Sequence, residues 1–249
     1  MIDGAHYPFA LAYQWWLTCD AYFTNADLSS DLDERWLREI GKPYLVNRTI
    51  PIGREAAFVS MIKSSGQSAE MDLEQRAARL SLALSRNFGG EKVPASAASK
   101  VSWFVWPQGW TMYDSYAAKA LIGNPSATGV ARMEMFYAAL AMRGWNDLLG
   151  EMRRALRPFA FDPRIAERTI DKFLFLHGID EAALEPALAM IDGFVDALPA
   201  ELRDDVVRAG EATGEKLSSV RLIHRDTKTD RNALQERVDR LRRFKDEIS

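Results

Sequence analysis

Apolar residues recur every three or four positions along most of the chain. This spacing places them on one face of an α-helix, whereas the alternation of apolar and polar residues typical of a half-buried β-strand is nearly absent. The clearest helical stretches are ALAYQWWLTCDAYF, LEQRAARLSLALSRNF, ARMEMFYAALAMRGWNDLLGEMRRAL and RIAERTIDKFLFL. The pattern predicts an all-α protein, a multi-helix array of about ten helices.

Helix-breaking residues separate these stretches. They lie in IGKP (40–43), SSGQS (64–68), FGGEKVP (88–94), IGNPSATG (122–129) and FDP (161–163). Asp162 before Pro163 predicts an N-cap, and Gly178 predicts a C-cap, so we expect one helix over about 163–177.

The chain shows no repeat of fixed period and no low-complexity linker. We therefore expect a single all-helical domain over residues 1–249. The alternative division is two helical lobes that flank a cleft near residues 95–120.

The last segment, KTDRNALQERVDRLRRFKDEIS, predicts a charged amphipathic helix. Leu234, Val238 and Leu241 share one face of it. The helix either docks on the protein by this stripe and leaves its charges in water, or contacts a DNA backbone or a partner protein.

Composition narrows the class of protein. The chain has 249 residues, of which 47% are hydrophobic, enough for a real core. Its formal net charge of −3 neither supports nor excludes DNA binding, because a local basic cleft does not show in a sum. Cys19 is the only cysteine, which excludes an intramolecular disulfide framework. No window approaches the roughly 20 apolar residues of a membrane span, so we expect a cytoplasmic protein without membrane contact.

Residues 98–121, ASKVSWFVWPQGWTMYDSYAAKAL, combine aromatic residues with a lysine and an aspartate. The first part predicts a helix stopped by Pro107, PQGW predicts a turn, and Asp114 predicts the start of a second helix. Lys100 and Asp114 are thus expected to face each other across a helix-turn-helix corner. Aromatic surroundings favour the neutral, nucleophilic form of a lysine. The alternative is that Asp114 is only an N-cap and Lys100 only extends along an apolar surface.

The SK…F…P…YDS pattern in this stretch resembles the lysine, turn and aspartate segment of the helix-hairpin-helix DNA glycosylases. The similarity is greatest to the 8-oxoguanine-glycosylase-like group associated with bacterial phage defence. RTIDKFLFLHG (168–178) is similar to a segment downstream of the aspartate in that group. The resemblance implies the all-helical glycosylase fold and an enzyme that excises a base from double-stranded DNA.

The same resemblance implies roles for individual residues. Asp114 matches the aspartate that stabilises positive charge on the deoxyribose or helps to activate the nucleophile. Lys100 matches the lysine that attacks C1′ and forms a Schiff base, which permits strand cleavage at the abasic site.

This chain departs from the family pattern at three points. Lys100 and Asp114 are 14 positions apart, closer than in the usual 8-oxoguanine enzymes. The glycine-rich hairpin that grips phosphates is replaced by VPASAAS, and Tyr116 stands where relatives often carry His or Arg. We expect Ser115, Tyr116 and Lys119 to supply the contacts with the DNA backbone.

The aromatic residues of the stretch are candidates for holding a flipped base, since stacking on an aromatic ring is worth about 1 to 3 kcal/mol per base. The candidates are Trp103, Trp106, Trp110 and Tyr113. Trp110, in the turn after Gly109, is the first choice for the pocket. For each of them the alternative is packing in the core.

Two function classes remain open. The first is a DNA glycosylase acting on a bulky modified phage base such as glucosylated hydroxymethylcytosine, with 8-oxoguanine as the alternative substrate. The second is a non-catalytic helical binding module.

The histidines His6, His177 and His224 lack ligand spacing, and no nucleotide-binding motif occurs, so we expect neither a metal nor a cofactor. Arg168 and Asp171 are expected to form an intrahelical pair, with a place in the cleft as the alternative.

Overall fold

The computed structural model of the chain describes residues 4–68, 70–89, 93–224 and 227–249. These residues form helices and loops, with no β-strand among them, which confirms the all-α prediction. A π-helical turn occupies Trp16–Asp20 and a 3-10 turn Val46–Arg48. The α-helices are α1 (Tyr7–Trp15), α2 (Ala21–Thr24), α3 (Leu28–Asp31), α4 (Glu34–Tyr44), α5 (Glu55–Ser64), α6 (Leu73–Phe88), α7 (Ala95–Val105), α8 (Ser115–Ile122), α9 (Gly129–Met142), α10 (Trp145–Leu156), α11 (Ile165–Gly178), α12 (Glu181–Asp196), α13 (Ala200–Ser219) and α14 (Lys228–Glu247).

Short polar side chains set where several helices begin. Asp33 accepts a hydrogen bond from the amide of Trp36 at the start of α4, at 2.8 Å. Asp72 accepts one from the amide of Gln75, and the Asp72 amide donates one to the Gln75 side-chain oxygen, which completes a capping box on α6. These caps satisfy amides that the first helical turn leaves without an intrahelical partner.

Most of the predicted breaks separate helices. The break at 40–43 is wrong, because α4 continues through Pro43 and ends at Tyr44, where Leu45 adopts a left-handed conformation with φ of 55°. The break at 88–94 includes residues 90–92, which lie outside the described residues.

The helix predicted over about 163–177 forms, but its ends differ from the expectation. Asp162 accepts a hydrogen bond from the Arg164 amide at 2.9 Å and opens a tight turn, so regular helix begins only at Ile165. Gly178 is the last helical residue rather than a C-cap, which corrects that prediction. A Cβ atom at this position would lie 1.8 Å from the carbonyl oxygen of Tyr116, so the glycine permits close contact between α11 and α8.

One continuous hydrophobic core extends from Phe9 on α1 to Leu241 on α14. Helix α7 lies inside this core and packs against α4, α5, α6 and α9. Helix α11 packs most extensively against α8 and α1. Residues 98–121 and 168–178, on which the predicted resemblance rests, are therefore neighbours in space through the α8–α11 contact.

The C-terminal helix α14 docks on α6 and α9 through its apolar stripe. Val238 and Leu241 are buried, and Leu234 is half-buried against the core. The prediction of a docked amphipathic helix is confirmed. None of the described helices combines the length and the apolar character that crossing a bilayer requires.

Candidate functional site

The helix-turn-helix corner forms as the sequence predicts. Helix α7 ends at Val105, just before Pro107, and Gly109 takes a φ of +68° in the following turn, a conformation that suits glycine. Asp114 is the N-cap of α8, and its Oδ1 atom accepts a hydrogen bond from the Tyr116 amide at 2.8 Å. The corner therefore brings the middle of α7 to the start of α8.

Lys100 and Asp114 meet across this corner. The Lys100 Nζ atom lies 3.5 Å from Oδ2 of Asp114, and 16% and 25% of the two side chains are exposed. One carboxylate oxygen is thus engaged by the backbone of α8, and the other faces the amine. The predicted convergence of these two side chains is present in the structure.

Both side chains lie in the wall of a cleft of about 510 Å³. Its walls come from α1, α4, α7, α11 and α12 together with residues between helices, among them Asp114, and most of the lining residues are apolar. Three basic and two acidic side chains are included. The lining residues are Leu11, Trp15, Pro43, Tyr44, Leu45, Lys100, Met112, Asp114, Arg168, Asp171, Lys172, Phe175, Pro186, Ala187 and Met190.

A buried ionic network forms the floor of the cleft. The Arg168 Nε atom donates to Asp20 at 2.8 Å, and its Nη1 atom donates to Asp171 at 2.6 Å. Tyr44 donates its hydroxyl hydrogen to Asp20. Burial opposes the charge of Arg168, but Asp20, Tyr44 and Asp171 outweigh it and raise the pKa of the guanidinium. Arg168 and Asp171 thus form the predicted intrahelical pair and also line the cleft.

Lys172 is a cleft residue that the sequence analysis missed. Its Nζ atom lies 3.6 Å from Asp171 Oδ2 and 4.4 Å from the ring centroid of Trp15. Burial, together with the charge of Arg168, lowers the pKa of Lys172 to about 8 against the opposing effect of Asp171. The sequence could have indicated Lys172, because it follows Arg168 by four positions and this spacing places both residues on one side of α11.

The residues predicted to form a base pocket lie in the core instead. Trp103 and Trp110 are 0% exposed and Tyr113 is 6% exposed. Trp110 stacks on Tyr137 with ring centroids 4.2 Å apart, while the Arg76 guanidinium lies 4.8 Å from its ring centroid. These rings present no free face to a ligand, so the assignment of Trp103, Trp110 and Tyr113 to the pocket is corrected.

Trp106, the remaining aromatic candidate, is half-buried against the core and does not line the cleft. The aromatic side chains at the cleft wall are Trp15, Tyr44 and Phe175, which come from three other helices. A base held in this cleft would therefore meet rings that lie outside the 98–121 stretch.

The residues predicted to contact the DNA backbone lie at the start of α8. Ser115 and Tyr116 are exposed, and the Tyr116 ring packs edge-on against Phe175 at 5.7 Å, beside the cleft. Lys119 forms an ion pair with Asp180 at 2.6 Å. The three side chains are on the surface next to the Asp114 end of the cleft.

The histidines take part in local contacts. Nδ1 of His177 lies 2.9 Å from the carbonyl oxygen of Phe173 one turn earlier, and the His6 ring packs on Tyr7. Within the described ranges, no group of three or more His, Cys, Asp and Glu side chains is arranged to hold a metal ion.

The resemblance of residues 98–121 to glycosylases stays a prediction. Comparisons of the chain with protein-family models, with curated proteins and with solved structures find no match. The chemistry of the site therefore has to follow from the residues in the cleft and from their geometry.

Proposed function

We propose that this protein is a DNA glycosylase that excises a modified base from duplex DNA and leaves an abasic site. The observation that carries the proposal is the pair of Lys100 and Asp114, whose Nζ and Oδ2 atoms are 3.5 Å apart in the wall of a concave cleft. An amine and a carboxylate at one edge of a cleft are the groups that the resemblance assigns to the glycosidic bond. The same two side chains on a flat surface would favour a binding module instead.

The proposed reaction breaks the bond between C1′ of the deoxyribose and the base nitrogen. The base leaves with the bonding electrons, and positive charge develops on the sugar. Asp114, held by the Tyr116 amide, stabilises this charge electrostatically. Water or an amine then bonds to C1′ and releases a proton, which the departing base takes up. Lys100 is the amine that the motif assigns to this step.

The cleft suits a flipped base with a substituent. Its volume of about 510 Å³ lies within the range of small-molecule sites. Trp15, Tyr44 and Phe175 provide aromatic surface, and the Arg168 and Asp171 side chains provide polar groups at the floor. This size favours a bulky modified base such as glucosylated hydroxymethylcytosine, in the setting of phage defence, and 8-oxoguanine is the alternative substrate.

The duplex is proposed to dock at the start of α8, where Ser115 and Tyr116 are exposed beside the cleft. Lys119 must exchange its ion pair with Asp180 for a phosphate contact. Exposed ion pairs contribute only about 0 to 1 kcal/mol to stability, so breaking this pair costs little free energy. It also gives the complex the salt dependence expected of phosphate contacts.

The test is incubation of the protein with matched duplexes that carry unmodified bases, 8-oxoguanine, uracil or glucosylated hydroxymethylcytosine, followed by alkali to cleave at abasic sites. We expect cleavage of one modified duplex. Asp114→Asn should lower the rate by about 100-fold or more, since it removes the charge that stabilises the transition state. Asparagine still caps a helix, so thermal unfolding should change little.

Asp72→Asn is the matched control, because Asp72 also caps a helix but lies outside the cleft. This variant should excise the base at the rate of the unchanged protein. If folded protein produces no abasic site on any duplex, the glycosylase proposal fails and the helical binding module is favoured. If Asp114→Asn instead unfolds the protein, Asp114 is primarily a structural cap.

A further inference from the structure

The cleft contains a second amine that the glycosylase motif does not include. Lys172 lies on α11, the helix that packs against α8, and 9% of its side chain is exposed. The ammonium group lies against the Trp15 ring, while its nearest carboxylate oxygen, Asp171 Oδ2, is 3.6 Å away. Lys172 therefore lines the same cavity as Lys100 and Asp114.

The ion pair of Lys172 with Asp171 is weakened by a competitor. Asp171 Oδ2 also accepts a hydrogen bond from Arg168 at 2.6 Å, which is 1.0 Å shorter than its distance to the Lys172 amine. Much of the negative charge near Lys172 is thus already neutralised by a buried guanidinium. Lys100, by contrast, faces the Oδ2 atom of Asp114, whose Oδ1 atom accepts a hydrogen bond from the Tyr116 amide.

Burial and the neighbouring Arg168 lower the pKa of Lys172 to about 8, while the carboxylates around it oppose this shift. At pH 7 such a group is neutral in about a tenth of the molecules, far more often than an exposed lysine. The charged side chains around this part of the cleft are Asp20, Lys100, Asp114, Arg168 and Asp171.

We infer that Lys172 is the amine that forms a Schiff base with the C1′ aldehyde of an abasic site held in the cleft. This inference rests on the proposed function, since it takes the product of base excision as the carbonyl compound. The nitrogen lone pair bonds to C1′ of the ring-opened sugar, the carbonyl oxygen leaves as water with both protons of the amine, and a C=N bond remains. Lys172 thereby takes the covalent step that the motif assigns to Lys100, and Asp114 acts on the glycosidic bond.

The experiment uses a duplex with a chemically prepared abasic site, so that base excision is not required. The protein of residues 1–249 is mixed with this duplex and borohydride, which adds hydride to C1′ of the Schiff base and fixes the adduct as a secondary amine. Proteolysis and mass spectrometry then locate the modified lysine. We expect the adduct on Lys172, and Lys172→Met should lower the yield by at least about tenfold.

Lys63→Met is the matched control, because Lys63 is an exposed lysine of α5 outside the cleft. This variant should form the reduced adduct in the same yield as the unchanged protein. An adduct on Lys100 or on a surface lysine, or no adduct at all, overturns the inference. Mapping on the unchanged protein keeps the test valid even if Lys172→Met does not fold.

The two proposals fail in different ways. A protein that excises a modified base but forms no adduct on Lys172 contradicts the assignment of this lysine alone. A protein that traps a prepared abasic site on Lys172 but excises none of the bases contradicts the glycosylase step and leaves the amine assignment intact.

Discussion

Glu167 is a fully buried carboxyl group that supports the turn of the candidate site. Its Oε1 atom accepts a hydrogen bond from the Gly109 amide at 3.2 Å and also pairs with Arg153. Its Oε2 atom has no hydrogen-bond partner among the described residues. Burial outweighs the attraction of Arg153 and raises the pKa of Glu167 from 4.5 to about 7. This residue adjoins Arg168, so it connects the turn with the floor of the cleft.

The raised pKa predicts how this group changes stability with pH. The folded state binds the proton of Glu167 more tightly than the unfolded state does. Protonation of Glu167 therefore contributes fully to the stability of the fold below pH 4.5, and this contribution is lost as the pH rises through about 7. Glu167→Gln removes this dependence but keeps an oxygen for the Gly109 amide. Between pH 4.5 and 7, the free energy of unfolding of the variant should rise by on the order of 3 kcal/mol relative to that of the unchanged protein. Urea unfolding at several pH values measures this difference.

Glu185→Gln is the control for this measurement, because Glu185 is exposed on α12. Its stability profile should stay parallel to that of the unchanged protein. A Glu167→Gln profile that is also parallel over this range would show that Glu167 does not titrate with a raised pKa.

At the scale of elements, the contact between α8 and α11 determines the geometry of the site. Helix α8 contributes Asp114 as its N-cap, and α11 contributes Arg168 and Lys172. The two helices approach so closely at Gly178 that a Cβ atom there would lie 1.8 Å from the Tyr116 carbonyl oxygen. The Lys100–Asp114 pair and the Lys172 amine face one cavity beside this contact.

Gly178→Ala should therefore separate the two helices and destabilise the protein. Overpacking against a side chain costs about 1 to 3 kcal/mol. Because the new methyl group would meet backbone, which moves less easily than a side chain, we expect the free energy of unfolding to fall by at least about 3 kcal/mol. Gly193→Ala provides the matched change, since nothing lies within 4 Å of the new methyl group on α12. The free energy of unfolding of Gly193→Ala should rise by up to about 1 kcal/mol, because alanine has the higher helix propensity. Equal effects of the two substitutions in urea unfolding would contradict the close contact.

At the scale of the whole molecule, the C-terminal helix belongs to the same core as the site. Besides the apolar stripe that contacts α6 and α9, it forms ion pairs with distant segments. These pairs are Arg237 with Glu74, Lys245 with Glu134, and Arg143 with Asp230. The contacts join the end of the chain to helices that are more than 80 positions away in sequence. We therefore expect the molecule to unfold as one unit.

Leu241→Ala tests this cooperativity. Truncation of a buried leucine costs about 2 to 5 kcal/mol, whereas Leu234→Ala should cost less because Leu234 is only half-buried. All seven tryptophans lie between residues 15 and 145, outside α14. In a single unit, Leu241→Ala shifts the tryptophan fluorescence and the circular dichroism transitions together. A shift in the circular dichroism transition alone would show that α14 unfolds independently.

Local rules in the sequence determined the elements of the candidate site. The three-to-four spacing of apolar residues gave the helical class, because one face of each helix must be buried. Pro107 ended α7 near the expected residue, and Asp114 capped α8, since both effects act within a few residues. The meeting of Lys100 and Asp114 followed from the short corner between these helices.

Only the tertiary structure decided which side chains line the cleft. Trp103 and Trp110 share the 98–121 stretch with Lys100. Helix α7 is buried on nearly every side, however, and neighbouring helices cover these rings. Trp15, Phe175 and Lys172 reach the cleft from segments far apart in sequence. Helical periodicity assigns a residue to a face of its own helix. Which helix covers that face depends on the packing of all the helices together.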